Sequence, residues 1–287
     1  MDRVRIGCVS YLNTVPMIEG LELLPEAELV KAVPAKLVSM LERDEVDVAI
    51  VSLIDAARAS VPMAILPVGM IGSDGPTLTV RLFSQVPIER ITRVHADTDS
   101  HTSVALCRLL LSEQFGVDAK MVDYDAREQM PTSPDEPRDA ETPSPWPEAM
   151  LLIGDKVVTT SPPAVRYPFQ LDLGEAWKEL TGLPFVYAVW MCRAERADDP
   201  RVRAAAALLD RQRRHNATRI DAIVTRRAPE HRWPVDLARK YIGRCLRFDY
   251  DDRARQAATR FVEMCAGKGL APTTRLVHAE PALLPTS

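Results

Sequence analysis

Ile71-Gly-Ser-Asp-Gly-Pro-Thr-Leu-Thr-Val-Arg-Leu-Phe-Ser84 is a glycine-rich polar turn that runs directly into an apolar strand. Asp74-Gly75-Pro76 is turn chemistry, because Gly accepts positive φ while Pro fixes its own φ and withholds a backbone donor. From Leu78 onward apolar residues alternate with Thr, Arg and Ser, the period of a half-buried strand. The pattern returns at Thr181-Gly-Leu-Pro-Phe-Val-Tyr-Ala-Val-Trp190, again turn residues followed by an aromatic, β-branched strand. Two such stretches, bracketing a segment with its own strands and helices, predict two α/β lobes joined by two crossover strands. A ligand cleft then lies between the lobes, with Ser73 to Gly75 at its edge. On this reading residues 1–85 and 188–287 form one lobe and residues 86–187 the other.

The 287 residues are 46% apolar and 26% charged, enough to bury a full core and compatible with two domains. Net charge is 36 minus 40, or −4, which argues against nucleic acid as the partner. The basic runs Arg211 to Arg214 and Arg226-Arg227 read as solvated helix faces. Met-Asp-Arg leads straight into the strand-like Val4-Arg-Ile-Gly-Cys-Val9 without an apolar leader, and no apolar run approaches the roughly 18 residues that span a bilayer. A cytoplasmic protein with no membrane partner is expected. Five scattered cysteines, at 8, 107, 192, 245 and 265, fit reduced thiols rather than a disulfide framework, and without a Cys-x-x-Cys pair a metal site has no support.

Along the chain, candidate site residues fall just past strand ends, where ligands sit in open α/β sheets. Tyr11-Leu12-Asn13 follows the first strand, and Asn13 either touches a ligand or caps the helix suggested by Val15-Pro16-Met17. Ser52 follows Val46 to Val51 and opens Ser-Leu-Ile-Asp, close to a capping box, so helix capping competes with anion binding there. Asp99, Ser100, Thr102 and Ser103 precede the apolar helix Val104 to Leu111. One of them is the N-cap, and the remaining hydroxyls and free N–H groups suit a carboxylate or phosphate. His101, inside that run, reads as a base or an exposed bystander. Asp155 ends the buried strand Ala149 to Gly154 as a substrate anchor, a cap or a base. Pro131 to Pro147 holds six prolines and four carboxylates, the composition of a disordered insertion without chemistry. Helices are expected over Leu173–Leu180, closed by Gly182, from Asp199-Pro200 onward, over Pro234–Leu246 and over Asp252–Ala266, with a loose tail after Pro272.

Read together, the blocks Gly7 with Tyr11-Leu12-Asn13 and Pro16, Ser73-Asp74-Gly75-Pro76 with Leu82-Phe83-Ser84, and Thr102-Ser103-Val104-Ala105-Leu106 resemble the chorismate dehydratase family of the futalosine route to menaquinone. Ile153-Gly154-Asp155 and Leu173-Gly174 through Trp177 to Thr181-Gly182-Leu183-Pro184-Phe185 continue the resemblance in the family's order. Cys8, Leu53 and the Pro-rich insertion depart from the family pattern. The resemblance implies a type II periplasmic-binding-protein-like fold that closes on its ligand. It also implies loss of water from chorismate to give 3-[(1-carboxyvinyl)oxy]benzoate without metal or organic cofactor. It assigns Ser73, Gly75, Thr102 and Ser103 to carboxylate binding and Asn13 to orienting the ring or the leaving hydroxyl. Asn13 and Ser73 are thus the catalytic candidates, with Tyr11, Ser52, Asp74, Gly75, Ser100, Thr102, Ser103, Asp155 and Tyr187 around the substrate. Proton removal falls to the substrate's own enolpyruvyl carboxylate. A sister enzyme forming 1,4-dihydroxy-6-naphthoate would need a cleft histidine, for which His101 is the one candidate. A cytoplasmic receptor that binds a small carboxylate without turnover is the alternative of another class.

Overall fold

The alternating apolar runs of the sequence become strands of two separate sheets. A computed structural model describes residues 3–130 and 146–280. The first part of the chain supplies β1 (Val4–Cys8), α1 (Val15–Ile18), β2 (Ala27–Lys31), α2 (Pro34–Glu42), β3 (Val48–Ser52), α3 (Asp55–Arg58) and β4 (Met63–Ser73). The middle supplies β5 (Val80–Ser84), β6 (Arg93–Asp97), α4 (His101–Phe115), β7 (Lys120–Tyr124), α5 (Ala126–Gln129), β8 (Ala149–Ile153), α6 (Lys156–Thr159), β9 (Phe169–Asp172) and α7 (Leu173–Thr181). The last part returns with β10 (Phe185–Arg193), α8 (Pro200–Ala217), α9 (Ile220–Arg227), α10 (Val235–Lys240), β11 (Leu246–Arg247), α11 (Asp252–Gly267) and β12 (Val277–His278).

The first sheet runs β11-β4-β10-β3-β1-β2, with β12 beside β4, and the second runs β7-β6-β8-β5-β9. Within the first, β1 pairs in parallel with β2 and β3, while β10 is antiparallel to β3 and β4. Gly7 allows the tight packing of β1: a Cβ there would stand 2.9 Å from both Ala49 Cβ and Leu37 Cδ2. No helix among the described residues is long and apolar enough to cross a membrane.

The sheets join where expected, but the lobe boundaries shift. β5 pairs with β8 and β9 in the second sheet, so Val80–Ser84 belongs to the middle lobe and the expected break after residue 85 falls on the wrong side of it. Phe185 to Tyr187 likewise belong to β10 in the first sheet rather than to the middle segment. Strand pairing decides this, and the alternation of a single strand cannot reveal its partner.

The two crossovers lie side by side, Phe185 at the start of β10 facing Ser73 at the end of β4. Asp172 ties them together: its carboxylate caps α7 by accepting Gly174 N and Glu175 N, and accepts Thr77 N and Leu78 N at 2.9 and 2.7 Å from the other crossover. Leu78 is held there at φ 72°, a left-handed value that costs a branched side chain. Beneath the crossovers Trp177, Phe185 and Phe261 pack edge to face with centroids 5.0 to 5.9 Å apart, giving both lobes a common apolar base.

Three further expectations are revised. Pro234–Leu246 is not one helix: α10 gives way to a π-helical turn, Tyr241–Cys245, which carries Tyr241 toward the lobes' interface. Part of the tail after Pro272 is ordered as β12, paired with β4, and His278 bonds Tyr250. Of the Pro-rich stretch, residues 131–145 lie outside the described residues. Trp146 is buried against Tyr167, and the Pro147 carbonyl accepts the Tyr167 hydroxyl, so its end packs instead of dangling.

Candidate functional site

The carboxyl ends of β1, β3, β6 and β8 meet at the seam between the sheets and enclose a narrow space of about 60 Å³, several times what one water needs. Tyr11, Asn13, Ser52, Tyr187 and Tyr241 line it from one lobe, and Thr77, Thr79, Asp99, Ser100, Ser103 and Gly154 from the crossover and the other lobe. Past Val9, Tyr11 and Pro34, which border both spaces, it leads to a wider vestibule of about 1170 Å³.

Asn13 sits in a 3₁₀ turn, Leu12–Thr14, whose N-cap is Tyr11, while Thr14 precedes α1. The amide caps neither element. Its Oδ1 accepts the Thr14 hydroxyl at 3.2 Å, and the Tyr241 phenol, which borders the same cavity, bonds Thr79 Oγ1 at 2.7 Å. Ser52 ends β3 and borders the cavity, buried. The helix expected to start at Ser52 begins three residues later with Ile54 at its cap, so the capping role falls away.

At α4 the N-cap is Ser100, whose Oγ accepts Ser103 N at 3.3 Å and Ser103 Oγ at 3.0 Å. Both serines border the cavity, beside the electropositive end of a fifteen-residue helix. Thr102 does not line the cavity. It is buried, and its Oγ1 accepts Ile54 N at 3.0 Å from the opposite lobe. His101 is no bystander: its Nδ1 meets Asp55 Oδ1 at 2.8 Å, also across the lobes. Donated by the His101 ring to the Asp55 carboxylate, that hydrogen bond raises the His101 pKa against the effect of burial, with the Asp55 charge adding to it.

Ser73, Asp74 and Gly75 stand at the hinge rather than on the cavity. Ser73 Oγ and Thr77 Oγ1 bond each other at 3.0 Å, and Thr77 bonds the Tyr187 hydroxyl at 2.5 Å. Thr77 and Tyr187 thus face the cavity while Ser73 backs them. Burial pushes the Tyr187 and Tyr241 phenols well above the ordinary tyrosine range, so both remain neutral donors. Asp74 is ion-paired with Lys178 at 2.6 Å, and Gly75 takes φ 120° in the turn.

Asp155 also departs from its expected place. It makes no side-chain cap for α6. Instead its carboxylate accepts Leu12 N at 3.3 Å, Trp233 Nε1 at 3.0 Å and His231 Nδ1 at 3.3 Å, all from the other lobe. Tyr11 donates to Asp99, and Asp99 also takes Lys156 Nζ at 2.5 Å, while the same ammonium lies 2.6 Å from Asp97. Burial raises the Asp97 pKa, with Lys156 opposing it. The Tyr11 ring lies over Gly154, which at φ 75° carries no side chain to obstruct it. With Tyr11–Asp99, Asp155, Thr102 and His101 all bridging the lobes, the structure is a closed one.

The sequence reading missed Thr77, Thr79, Tyr241, Lys156, His231 and Trp233, and weighed Asp99 only as a cap. Thr77 and Thr79 lay inside the deciding stretch, and Lys156 lay three residues past the end of β8. His231 and Trp233 carried no local signal, since only the fold brings the turn after α9 to the cleft. Among the described residues no group of three or more His, Cys, Asp or Glu is placed to hold a metal ion.

A family model described as menaquinone biosynthesis matches residues 4–267. The chorismate dehydratase of Thermus thermophilus is 30% identical over 229 residues, 75% of this chain and 78% of the Thermus protein. Among solved structures, a protein of Archaeoglobus fulgidus superposes with a TM-score of 0.64 at 15% identity, covering 93% of this chain and 98% of that one. The periplasmic aliphatic sulphonate binding protein of Escherichia coli gives a TM-score of 0.62 at 13% identity, covering 100% and 95%. At such identities the structural likenesses show the fold alone, the two-lobed periplasmic-binding-protein fold.

Proposed function

The chain belongs to the menaquinone biosynthesis family, and from that premise we propose that it removes water from chorismate to give 3-[(1-carboxyvinyl)oxy]benzoate on the futalosine route. The observation that carries this reading is the closed cavity itself, walled by the Asn13 amide, neutral phenols and the Ser100 and Ser103 end of α4. These groups suit a small dianion with a hydroxyl to lose.

In the proposed reaction the C–H bond at the ring carbon bearing the enolpyruvyl ether breaks, and its electron pair becomes a ring π bond. The neighbouring C–O bond breaks, and the hydroxyl departs with the proton as water. Aromatisation supplies the driving force, so the protein chiefly orients the substrate and excludes bulk water. One carboxylate rests on the Ser100 and Ser103 hydroxyls and the first-turn amides of α4. Asn13, steadied by Thr14, holds the ring or the leaving hydroxyl. The enolpyruvyl carboxylate of the substrate takes the proton, a role that an amide cannot fill. Ser73 acts at one remove, positioning Thr77 and Tyr187, and Asp155 holds the cleft shut.

The His231–Asp155 pair at the cleft supports a second reading, the sister reaction forming 1,4-dihydroxy-6-naphthoate, which calls for a histidine base. Incubation with chorismate, followed by mass spectrometry, separates the two. Loss of one water from chorismate, falling by about 10² in rate in Asn13→Ala, supports the dehydratase. Unchanged chorismate refutes it.

A further inference from the structure

The vestibule outside the cavity has a charge pattern that the proposed chemistry does not use. Its acidic lining is already committed: Asp155 accepts the three cross-cleft donors, and Glu230 pairs with Arg227 at 3.0 Å. Lys156 is likewise held between Asp97 and Asp99. Two cations on the same lining remain. Lys31, at the end of β2, and Arg232 are both exposed, and neither side chain has a hydrogen-bond or ion-pair partner among the described residues. In a chain of net charge −4, Lys31 and Arg232 are thus the cations of this lining that no carboxylate engages among the described residues.

Arg232 is set there by its backbone. The turn after α9 is closed by His231 N and Trp233 N on the Ala228 carbonyl, and Arg232 between them takes φ 59°. A left-handed conformation at a residue with a long side chain is uncommon. Here it sends His231 and Trp233 to Asp155 and leaves the intervening guanidinium on the vestibule wall.

We infer that the vestibule is an outer docking site for organic carboxylates, with Arg232 and Lys31 as its cations, where an anionic ligand is captured before the lobes close over it. The site deepens the dehydratase reading, since it rests on a dicarboxylate substrate, yet it is testable without turnover. Cations free to meet an anion at the mouth of a low-dielectric cleft raise its association rate, within a range of about 10- to 10³-fold for steered encounters, and salt removes the effect. Two cations belong at the lower end of that range.

The probe is isophthalate, a small aromatic dicarboxylate, with benzoate as the monoanionic control. Association is followed by stopped-flow tryptophan fluorescence, because Trp233 and Trp146 border the cleft. The wild-type rate constant falls as salt rises, and more steeply for isophthalate than for benzoate. In the Lys31→Gln, Arg232→Gln double variant it drops about tenfold at low ionic strength and loses its salt dependence, while Arg232→Lys keeps the wild-type slope. A double variant within twofold of wild type at every salt concentration overturns the inference, as does wild-type protein whose isophthalate association is absent or indifferent to salt. Chorismate turnover by the same wild-type protein is scored separately. Steered binding without turnover sinks the dehydratase reading alone, and turnover without steering sinks the docking site alone.

Discussion

Asp155→Ala removes the most heavily used bridge between the lobes. The carboxylate accepts Leu12 N, His231 Nδ1 and Trp233 Nε1 at 3.3, 3.3 and 3.0 Å, and its side chain is 17% exposed in the closed form. Two of the bonds are long, so about 1 kcal/mol each is a fair value, or about 3 kcal/mol in all. When the lobes part, water satisfies the same donors, so the loss falls almost entirely on the closed conformer. At about 1.4 kcal/mol per factor of ten, the closed-to-open ratio falls by about two orders of magnitude. Apparent affinity falls with the closed fraction, so the dissociation constant for 3-[(1-carboxyvinyl)oxy]benzoate rises by up to about 10². Isothermal titration measures that constant, and small-angle scattering measures the expansion of the unliganded variant. The thermal midpoint should move little, because the substitution leaves the apolar core shared by the two sheets untouched. Affinity within threefold of wild type, with an unchanged radius of gyration, would refute the assignment of Asp155 to closure.

Other perturbations read different parts of the molecule. In Gly174→Ala the new Cβ would stand 2.1 Å from Thr77 Oγ1, 2.6 Å from the Gly75 carbonyl and 2.7 Å from Ser73 Oγ, so the hinge must shift. Overpacking of this kind costs about 3 kcal/mol, visible in urea unfolding, and activity should fall with it. The His101–Asp55 bridge makes closure pH-dependent. Because its pKa in the closed form lies above the ordinary 6.5, the bridge contributes fully below 6.5 and fades as pH climbs through the raised value. Arg58 opposes this shift and Asp123 favours it. Ligand affinity measured from pH 6 upward (about one unit per step) should weaken in wild type and stay flat in His101→Gln. Asp47, fully buried, accepts Arg5 N and pairs with Arg5, Arg196 and Arg201. Asp47→Ala should cost about 3 kcal/mol in urea unfolding and leave kcat intact, since the cluster lies away from the cleft.

The architecture was legible because its signals are local. Turn residues ahead of β5 and β10 mark both crossovers, and Asp199-Pro200 and Gly182 mark helix ends that the structure reproduces. Asn13, Ser52, Ser100 and Ser103 follow from the rule that ligands gather beyond strand ends and at helix N-termini. The partition of hydroxyls was not legible. Thr102 and Ser103 are neighbours of like chemistry, yet one side chain crosses to Ile54 and the other borders the cavity. Nor could β5 be given to its sheet, since pairing with β8 and β9 is a long-range fact. Tyr241 and His231 reach the cleft through a π-helical turn and a left-handed residue, features that side-chain periodicity does not encode.

The most direct test of the account is a crystal structure of the protein grown with 3-[(1-carboxyvinyl)oxy]benzoate. The account predicts the ring between the lobes, one carboxylate on Ser100 and Ser103, and the Asn13 amide facing the carbon that carried the lost hydroxyl. A product molecule bound outside the inner cavity, with Asn13 and the start of α4 untouched, would contradict it.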